Sequence, residues 1–273
     1  MYRRSGSGEL VCVKVRICNE SSLTGGYLFE KDEQIHNRVV MIVYKSDDFL
    51  SRPKKSVDIC ILCSSFNPPT NAHLRLIQQS LAMRPFDAVV LVLSSNNPDK
   101  SMSSDKDHEH RINMMRLLTS CIEIPMAVLV TDRGTFFDIH QSLGLEVFPN
   151  ISFNAYFIVG YDTFVRIYAP KYYHADLQSL LTDFFATAHL ICADRFRNDT
   201  EISLTELIES VTKQYGHGDH IHQLTDWTSG KDTSFHISSS LVRQSVHDRN
   251  DARSSLVPTC ILKYIESNGL YRQ

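Results

Sequence analysis

The chain has 273 residues, of which 42% are apolar, and a formal net charge of -3 at pH 7. A chain of this size and composition can bury a large core, and its charge does not favour nucleic acid or an anionic membrane as a partner. The longest apolar runs, such as residues 88–93 and 155–160, are far shorter than the roughly 18 to 20 residues of a membrane-spanning helix. We therefore expect no membrane span.

The N-terminal residues 1–56 are predicted to form an extension, either a β-hairpin or a partly disordered segment. Residues 11–18 and 39–44 alternate between apolar and polar side chains, as strands do, and SRPKKS at residues 51–56 is typical of a linker. The first arginines are not followed by a continuous apolar block, so we expect no secretory signal and a cytoplasmic or nuclear protein. The extension is also where a protein partner could bind.

Seven cysteines are present, and most of them lie in apolar segments, which is typical of small core residues in a reducing compartment. Cys60 and Cys63 form a CxxC pair, but strand residues three positions apart point to opposite faces. No second CxxC pair is available to complete a zinc site. We therefore expect structural cysteines and no metal bound by the protein itself.

Over residues 57–273, strand-like apolar runs alternate with amphipathic stretches, which predicts an α/β domain with a mainly parallel sheet. The predicted strands are residues 57–63, 88–94, 127–131, 155–160 and 189–193. The predicted helices are residues 71–83, 107–121, 135–143, 161–167, 173–184, 203–214, 238–246 and 258–266. Residues 216–236 lack this periodicity and are interpreted as a short strand within a loop.

Small and polar residues crowd the turn after the first of these strands, where Ser64, Ser65, Asn67, Thr70 and His73 lie. In a parallel α/β sheet the loops at the carboxyl ends of strands form the ligand crevice. The N-H groups at the start of the next helix attract anions such as phosphate. Thr70 can cap that helix, and His73 can face the same anion. For His73 considered alone, the alternative to anion binding is a capped turn in which the ring faces solvent.

A second polar motif, HISSSLVRQ, lies near the C-terminus at residues 236–244. Ser239 and Arg243 are four residues apart and so lie on one face of the predicted helix. Serine hydroxyls, free N-H groups and a guanidinium together make a second anion-binding site. Simple N-capping beside an exposed arginine is the alternative, but it accounts for only one of the three serines.

These motifs resemble those of the nicotinamide mononucleotide adenylyltransferases, nucleotidyltransferases marked by an HxGH motif and a C-terminal ISSTxxR motif. SSFNPPTNAHL resembles their first signature and ISSSLVR their second. NNPDK, HEHR, FIVGYD and VPTCILKYIESNGLY resemble further segments of the family in the same order. The resemblance spans residues 57–273. It implies a Rossmann-like, doubly wound, mainly parallel sheet, here with an added N-terminal β extension.

By this resemblance the protein transfers AMP from ATP to nicotinamide mononucleotide, giving NAD and pyrophosphate, with Mg²⁺ carried by ATP. His73 and Arg243 are the residues expected to act on the reacting phosphates. The other expected ATP contacts are Ser65, Phe66, Thr70, Gly160, Asp162, Ser238 and Ser239. The expected mononucleotide contacts are Lys100, Phe136, Tyr172 and Tyr173. The aromatic residues among these could stack on a cationic pyridinium, with core packing as the alternative.

The chain departs from the family more in its mononucleotide-binding half than in its ATP-binding half. Ser64, Ala72 and Thr70 replace a glycine, a glycine and a histidine of the first signature. Phe137 stands where the family has a threonine that contacts nicotinamide, and the family's tryptophan after the G-x-D strand is missing. These departures indicate a divergent, fungal-type branch. They keep open an ATP-binding or ATP-hydrolysing protein with a changed acceptor site, in a regulatory or protein quality-control role.

One cluster stands outside the resemblance: His217, Asp219, His220 and His222 lie within six residues of one another. Histidines at such spacing could bind zinc, but a polar loop is the favoured interpretation, since no cysteine or orienting partner is evident. The sequence also leaves open whether the chain forms homo-oligomers.

Overall fold

The computed structural model describes residues 2–4, 10–12, 40–51, 54–94, 105–173, 175–194, 202–224, 236–250 and 253–272. The strands in these ranges are β1 (Tyr2–Arg4), β2 (Leu10–Cys12), β3 (Val40–Lys45), β4 (Ser56–Cys63), β5 (Ala88–Ser94), β6 (Met126–Thr131), β7 (Ser152–Gly160), β8 (Ala188–Ala193) and β9 (Ile221–Leu224). The α-helices are α1 (Asn71–Met83), α2 (Asp105–Thr119), α3 (Phe136–Ser142), α4 (Tyr161–Ile167), α5 (Leu177–Phe185), α6 (Leu204–Tyr215), α7 (Ser239–His247), α8 (Arg253–Leu256) and α9 (Thr259–Ser267).

Seven strands form one sheet in the order β3-β6-β5-β4-β7-β8-β9. All neighbours are parallel except β3 and β6, which are antiparallel. The chain starts the parallel part at β4, adds β5 and β6 on one side, and then adds β7, β8 and β9 on the other. This is the doubly wound arrangement, so the prediction of a Rossmann-like fold is confirmed. In such sheets ligands bind where the order reverses, here between β4 and β7.

Continuous apolar sequence explains the centre of the sheet. The first six residues of β5, AVVLVL, are at most 1% exposed, because helices cover both faces of a parallel sheet. Cys60 packs in one apolar layer, and Cys63 packs against the other. Burial raises the pKa of the Cys63 thiol to about 12, so both residues behave as small core side chains rather than as a metal pair.

The strand predicted at residues 39–44 is observed as β3, and among the described residues it does not pair with another strand of residues 1–56. It pairs antiparallel with β6 and so extends the main sheet, with Val40 and Val43 buried. Val40 packs in one apolar layer of the core and Val43 in the other, so this strand is part of the main sheet although it precedes residue 56. β1 and β2 pair in a separate two-stranded sheet. Residues 13–18 of the other predicted strand lie outside the described residues.

The helices follow the predictions with three differences, one of which is the short helix α8, which was not predicted. The helix predicted from residue 173 begins at Leu177 instead, because the Asp176 carboxylate accepts a hydrogen bond from the Ser179 N-H at 2.8 Å and caps it there. The helix α3 continues into a π-helical turn, Leu143–Val147. In the part of the chain that the structure describes, no helix has the length and apolar character needed to cross a bilayer.

The core makes a stability prediction with a matched control. Leu91 in β5 is fully buried, whereas Leu145 is 60% exposed. Leu91→Ala should lower the free energy of unfolding by about 2 to 5 kcal/mol, because it removes buried methyl groups and leaves a cavity. Leu145→Ala should change it by less than about 0.5 kcal/mol. Urea unfolding of both variants measures the difference; equal losses would contradict the assignment of the core.

Candidate active site

A cavity of about 510 Å³ lies at the carboxyl ends of β4 and β7, between the first turns of α1 and α7. It is located where the strand order reverses, as expected for a doubly wound sheet. The cavity brings together seven of the residues that sequence reasoning singled out: Ser65, His73, Gly160, Asp162, Ser238, Ser239 and Arg243. Two motifs that are about 170 residues apart in the chain therefore meet around one space.

The turn before α1 holds the ring of His73. The Thr70 side chain accepts a hydrogen bond from the His73 N-H at 3.4 Å and caps the helix. In return the Thr70 N-H donates to His73 Nδ1 at 3.0 Å, and Thr70 Oγ1 lies 2.8 Å from the same nitrogen. These reciprocal bonds form a capping box in which a histidine occupies the place usual for glutamate. They hold the imidazole in one orientation.

The same contacts determine which nitrogen of His73 carries the proton. Because a backbone N-H donates to Nδ1, this nitrogen is an acceptor, and the proton of the neutral ring lies on Nε2. Burial lowers the pKa of His73 to about 4, so the ring is neutral near pH 7. Its Nε2 N-H donates to Ser64 Oγ at 2.9 Å, and both residues line the cavity. His73 is therefore an oriented hydrogen-bond donor rather than a cation.

Phe66 and Thr70 differ from the other expected ATP contacts, because both are fully buried. Phe66 has a φ of 43°, in the left-handed region that favours glycine. Its ring packs 5.1 Å from that of His73. Burial of a large side chain, about 2 kcal/mol or more, offsets the roughly 1 kcal/mol cost of such a backbone. The side chains of both residues position His73 and do not line the cavity.

Side chains from the C-terminal part clasp the turn before α1. Arg243 donates from Nη1 to the Asn67 carbonyl at 2.7 Å, and Ser239 Oγ donates to the Pro68 carbonyl at 2.8 Å. The Tyr271 hydroxyl donates to Asn67 Oδ1, also at 2.7 Å. We call these three bonds the clasp. They satisfy carbonyls that would otherwise lack partners in a turn without regular structure, and they fix α7 against α1.

The clasp leaves Arg243 able to bind a ligand as well. Its guanidinium has five N-H donors, of which one is used on Asn67 and one on Ser240 Oγ at 3.1 Å. Ser238 caps α7 by accepting from the Leu241 N-H at 3.1 Å. The N-termini of α1 and α7 thus border the same cavity as the guanidinium, a combination that suits an anion.

The opposite wall of the cavity is formed by residues after β7 and β8. Gly160 borders the space, and a Cβ built on it would have no atom within 4 Å. Asp162 lines the wall as expected, together with Arg166 and Asp194, which sequence reasoning missed. Two signals could have found them: Arg166 is four residues after Asp162 on the same helix, and Asp194 follows the carboxyl end of a strand.

The residues expected to bind the mononucleotide are not brought to this cavity. The Phe136 ring packs edge-on against Phe157, with ring centroids 5.4 Å apart. Tyr173 packs against Phe137 at 5.0 Å, and burial raises its pKa to about 12. Tyr172 is 38% exposed and lies outside the lining. The aromatic residues at the start of α3 thus pack against β7 and against Tyr173, which explains the positions of Phe136 and Tyr173. Lys100 lies outside the described residues.

The histidine-rich segment lies at the amino ends of β8 and β9, away from the cavity. His220 and His222 stack on His189 with centroids 4.6 and 5.4 Å away, and His189 stacks on Tyr156 at 4.3 Å. Among the described residues, no group of three or more histidines, cysteines or carboxylates is arranged to hold a metal ion. The rings therefore pack as a stack along the edge of the sheet.

Comparisons with known proteins point to one family. A family model described as cytidylyltransferase-like matches residues 61–245, more than half of the chain. A putative nicotinamide mononucleotide adenylyltransferase of Schizosaccharomyces pombe is 26% identical over 225 residues, which cover 78% of this chain and 86% of the relative. A probable nicotinate-nucleotide adenylyltransferase of a Nostoc species is 26% identical over 220 residues, covering 79% and 97%.

A solved structure is similar in fold. The nicotinic acid mononucleotide adenylyltransferase of Plasmodium falciparum, complexed with NaAD, superposes with a TM-score of 0.56 at 21% sequence identity. The match covers 79% of this chain and 97% of that one. The shared architecture therefore includes more than three quarters of this chain.

The protonation state of His73 makes a prediction about acid stability. Between pH 6.5 and 4 the unfolded chain protonates this histidine while the folded chain keeps it neutral, so the free energy of unfolding should fall as the pH falls. A shift from 6.5 to about 4 corresponds to about 3 kcal/mol across the full window. Between pH 6.5 and 4 the free energy of unfolding of His73→Asn should therefore fall less than that of the wild type, by about this amount.

Urea unfolding of both proteins at pH 7 and pH 4.5 measures the difference. Burial also lowers the pKa of His140 and His189 to about 4, but both residues are present in each protein, so their contribution cancels. Parallel stability curves for wild type and variant would show that His73 has an ordinary pKa.

The clasp makes a second prediction. Tyr271→Phe removes only the hydroxyl that bonds to Asn67 and should lower the free energy of unfolding by about 1 kcal/mol. Tyr172→Phe is the matched control, since that hydroxyl has no hydrogen bond among the described residues, and it should have no effect beyond about 0.5 kcal/mol. Urea unfolding compares the two variants, and an equal effect of both would exclude a stabilising role for the Tyr271 bond.

Proposed function

The chain belongs to the cytidylyltransferase-like family of nucleotidyltransferases, and we propose that it is a nicotinamide-nucleotide adenylyltransferase. In this proposal it transfers AMP from ATP to nicotinamide mononucleotide and releases pyrophosphate, in the biosynthesis of NAD. The observation that carries the proposal is the single cavity in which the Nε2 of a neutral His73, the Arg243 guanidinium and the N-termini of α1 and α7 converge.

The proposed reaction is an in-line substitution at phosphorus. An oxygen of the 5'-phosphate of the mononucleotide attacks the α-phosphorus of ATP and forms the new P-O bond. The bond from the α-phosphorus to the bridging oxygen of the β-phosphate breaks, and that oxygen leaves with its electron pair on pyrophosphate. No proton has to be transferred and no protein nucleophile is needed, so catalysis depends on positioning and on neutralising charge.

Each donor of the cavity has a defined part in this reaction. His73 would donate its Nε2 N-H to a phosphate oxygen in place of Ser64 Oγ, which lies 2.9 Å from Nε2, since its Nδ1 is already bonded to Thr70. Arg243 would use the N-H groups that the clasp leaves free to bind the leaving pyrophosphate. Donors that are already oriented before the substrate binds stabilise the developing charge without reorganisation. The N-H groups at the start of the two helices add to the same effect.

Magnesium is proposed to enter with ATP, where it neutralises phosphate charge. The carboxylates of Asp162 and Asp194 line the cavity, and carboxylate oxygens are suitable partners for Mg²⁺ and its water ligands. Together with Arg166 and Arg243 they give the cavity equal numbers of carboxylates and guanidinium groups. The protein residues alone thus supply little net positive charge for a triphosphate, which supports a cation that comes with the substrate.

Fewer observations bear on the molecule that accepts AMP than on the binding of ATP. Relatives are named for the nicotinamide mononucleotide or for its acid form, nicotinate mononucleotide. Two of the aromatic residues expected to hold the pyridine ring, Phe136 and Tyr173, pack against other aromatic rings instead. This packing favours, as the second candidate, an enzyme that binds ATP in the same cavity and hydrolyses it with water as the nucleophile.

The proposal predicts NAD formation by the purified full-length protein. With ATP, Mg²⁺ and nicotinamide mononucleotide, pyrophosphate should form only when the acceptor is present. His73→Ala and Arg243→Lys should each lower kcat/KM by about 100-fold or more, about 3 kcal/mol of lost transition-state stabilisation. Lys213→Ala, a change on the exposed face of α6, should leave the rate unchanged.

A parallel assay with nicotinate mononucleotide identifies the preferred acceptor. Free phosphate that forms without any acceptor would favour the hydrolytic candidate. ATP binding with neither pyrophosphate nor phosphate release, with either mononucleotide, would contradict the assignment of an enzyme reaction to this cavity.

A further inference from the structure

A second cavity, of about 450 Å³, lies among α7, α8 and α9 and shares no lining residue with the first. Its floor is apolar and consists of Val246, Leu262 and Ile265. Its rim is polar and consists of His247, Arg249, Arg253, Glu266 and Arg272. An apolar floor with a few converging polar groups is the usual form of a small-molecule site.

The rim has an excess of positive charge in a chain whose net charge is -3. Three guanidinium groups face one carboxylate, and Arg253 already pairs with that carboxylate, with 3.5 Å from Nε to Glu266 Oε1. Arg272 donates to the Glu266 carbonyl at 3.2 Å, which leaves most of its donors unused. Arg249 has no side-chain partner among the described residues. Guanidinium groups with unused donors match the geometry of phosphate.

The backbone at Arg249 supplies a second, independent observation. Arg249 follows the end of α7 with a φ of 53°. The Asn250 N-H donates to the Ser245 carbonyl at 2.9 Å and the Arg249 N-H to the Val246 carbonyl at 3.2 Å. This is the hydrogen-bond pattern of a helix end whose left-handed residue is usually glycine. An arginine in this backbone conformation makes the folded protein less stable than a glycine would. This cost indicates that the charge of Arg249 has a function.

We propose that this second cavity binds a small phosphorylated ligand. Its phosphate groups contact Arg249 and Arg272, and an apolar or planar part lies on Val246, Leu262 and Ile265. The volume lies in the range of small-molecule sites, and the negative charge of the whole chain disfavours a long polyanion. The site does not depend on the proposed function, although His247 on its rim is one helical turn from Arg243.

The test uses inorganic triphosphate as the probe and the full-length protein. Calorimetric titration of wild type should show a binding event that becomes at least tenfold weaker in Arg249→Gly and in Arg272→Gln. Lys263→Gln is the matched control, because Lys263 is exposed on the same helix α9 but does not line the cavity, and its binding should equal that of wild type. Triphosphate bound in the first cavity contributes equally to all four titrations.

Thermal unfolding separates a binding role from a structural one. Arg249→Gly should raise Tm, because glycine suits the left-handed backbone, while it weakens triphosphate binding. The proposal is overturned if all four proteins bind the probe alike, or if Arg249→Gly lowers both Tm and binding. It is also overturned if a single-stranded RNA of about 20 nucleotides binds these arginines more tightly than triphosphate, since the surface would then serve nucleic acid.

Discussion

The interaction on which the site depends is the clasp of α7 on the turn before α1. The carbonyls of Asn67 and Pro68 accept hydrogen bonds from Arg243 and Ser239 at 2.7 and 2.8 Å. The residues of the Arg243 bond are 176 positions apart in the chain, so the bond joins two motifs that only the fold brings together. The Arg243 guanidinium positions the turn that holds His73, and the same residue lines the cavity. The packing of α7 therefore determines the geometry of the site.

The proposed binding of a triphosphate by a chain with a net negative charge depends on directed donors rather than on net charge. His73 is neutral, and its Nδ1 is occupied by Thr70, so the ring presents a single N-H. Two helix N-termini supply partial positive charge without any ionisable group. The carboxylates of Asp162 and Asp194 balance the arginines. In the proposed function, the direction of the donors determines which ligand binds, and a cation that enters with the substrate would complete the neutralisation of charge.

Much of this arrangement could be predicted from local sequence signals. The strands β4, β5 and β7 were identifiable because apolar runs end at clear turn signals, and Thr70 and Ser238 were identifiable as helix caps. The pairing of distant segments could not be predicted in this way. An alternating pattern predicts that β3 is a strand, but it does not predict that β6 is its neighbour. A motif also does not tell which side chains face the ligand, as Phe66 shows: it belongs to the signature, yet its ring is buried beneath His73.

The most direct measurement is a crystal structure of the full-length protein with Mg²⁺ and a non-hydrolysable ATP analogue. The account predicts the triphosphate in the first cavity, within hydrogen-bonding distance of both His73 Nε2 and the Arg243 guanidinium, with the bonds to Asn67 and Pro68 intact. A triphosphate bound elsewhere, or one that reaches Arg243 only after these two bonds have broken, would contradict it.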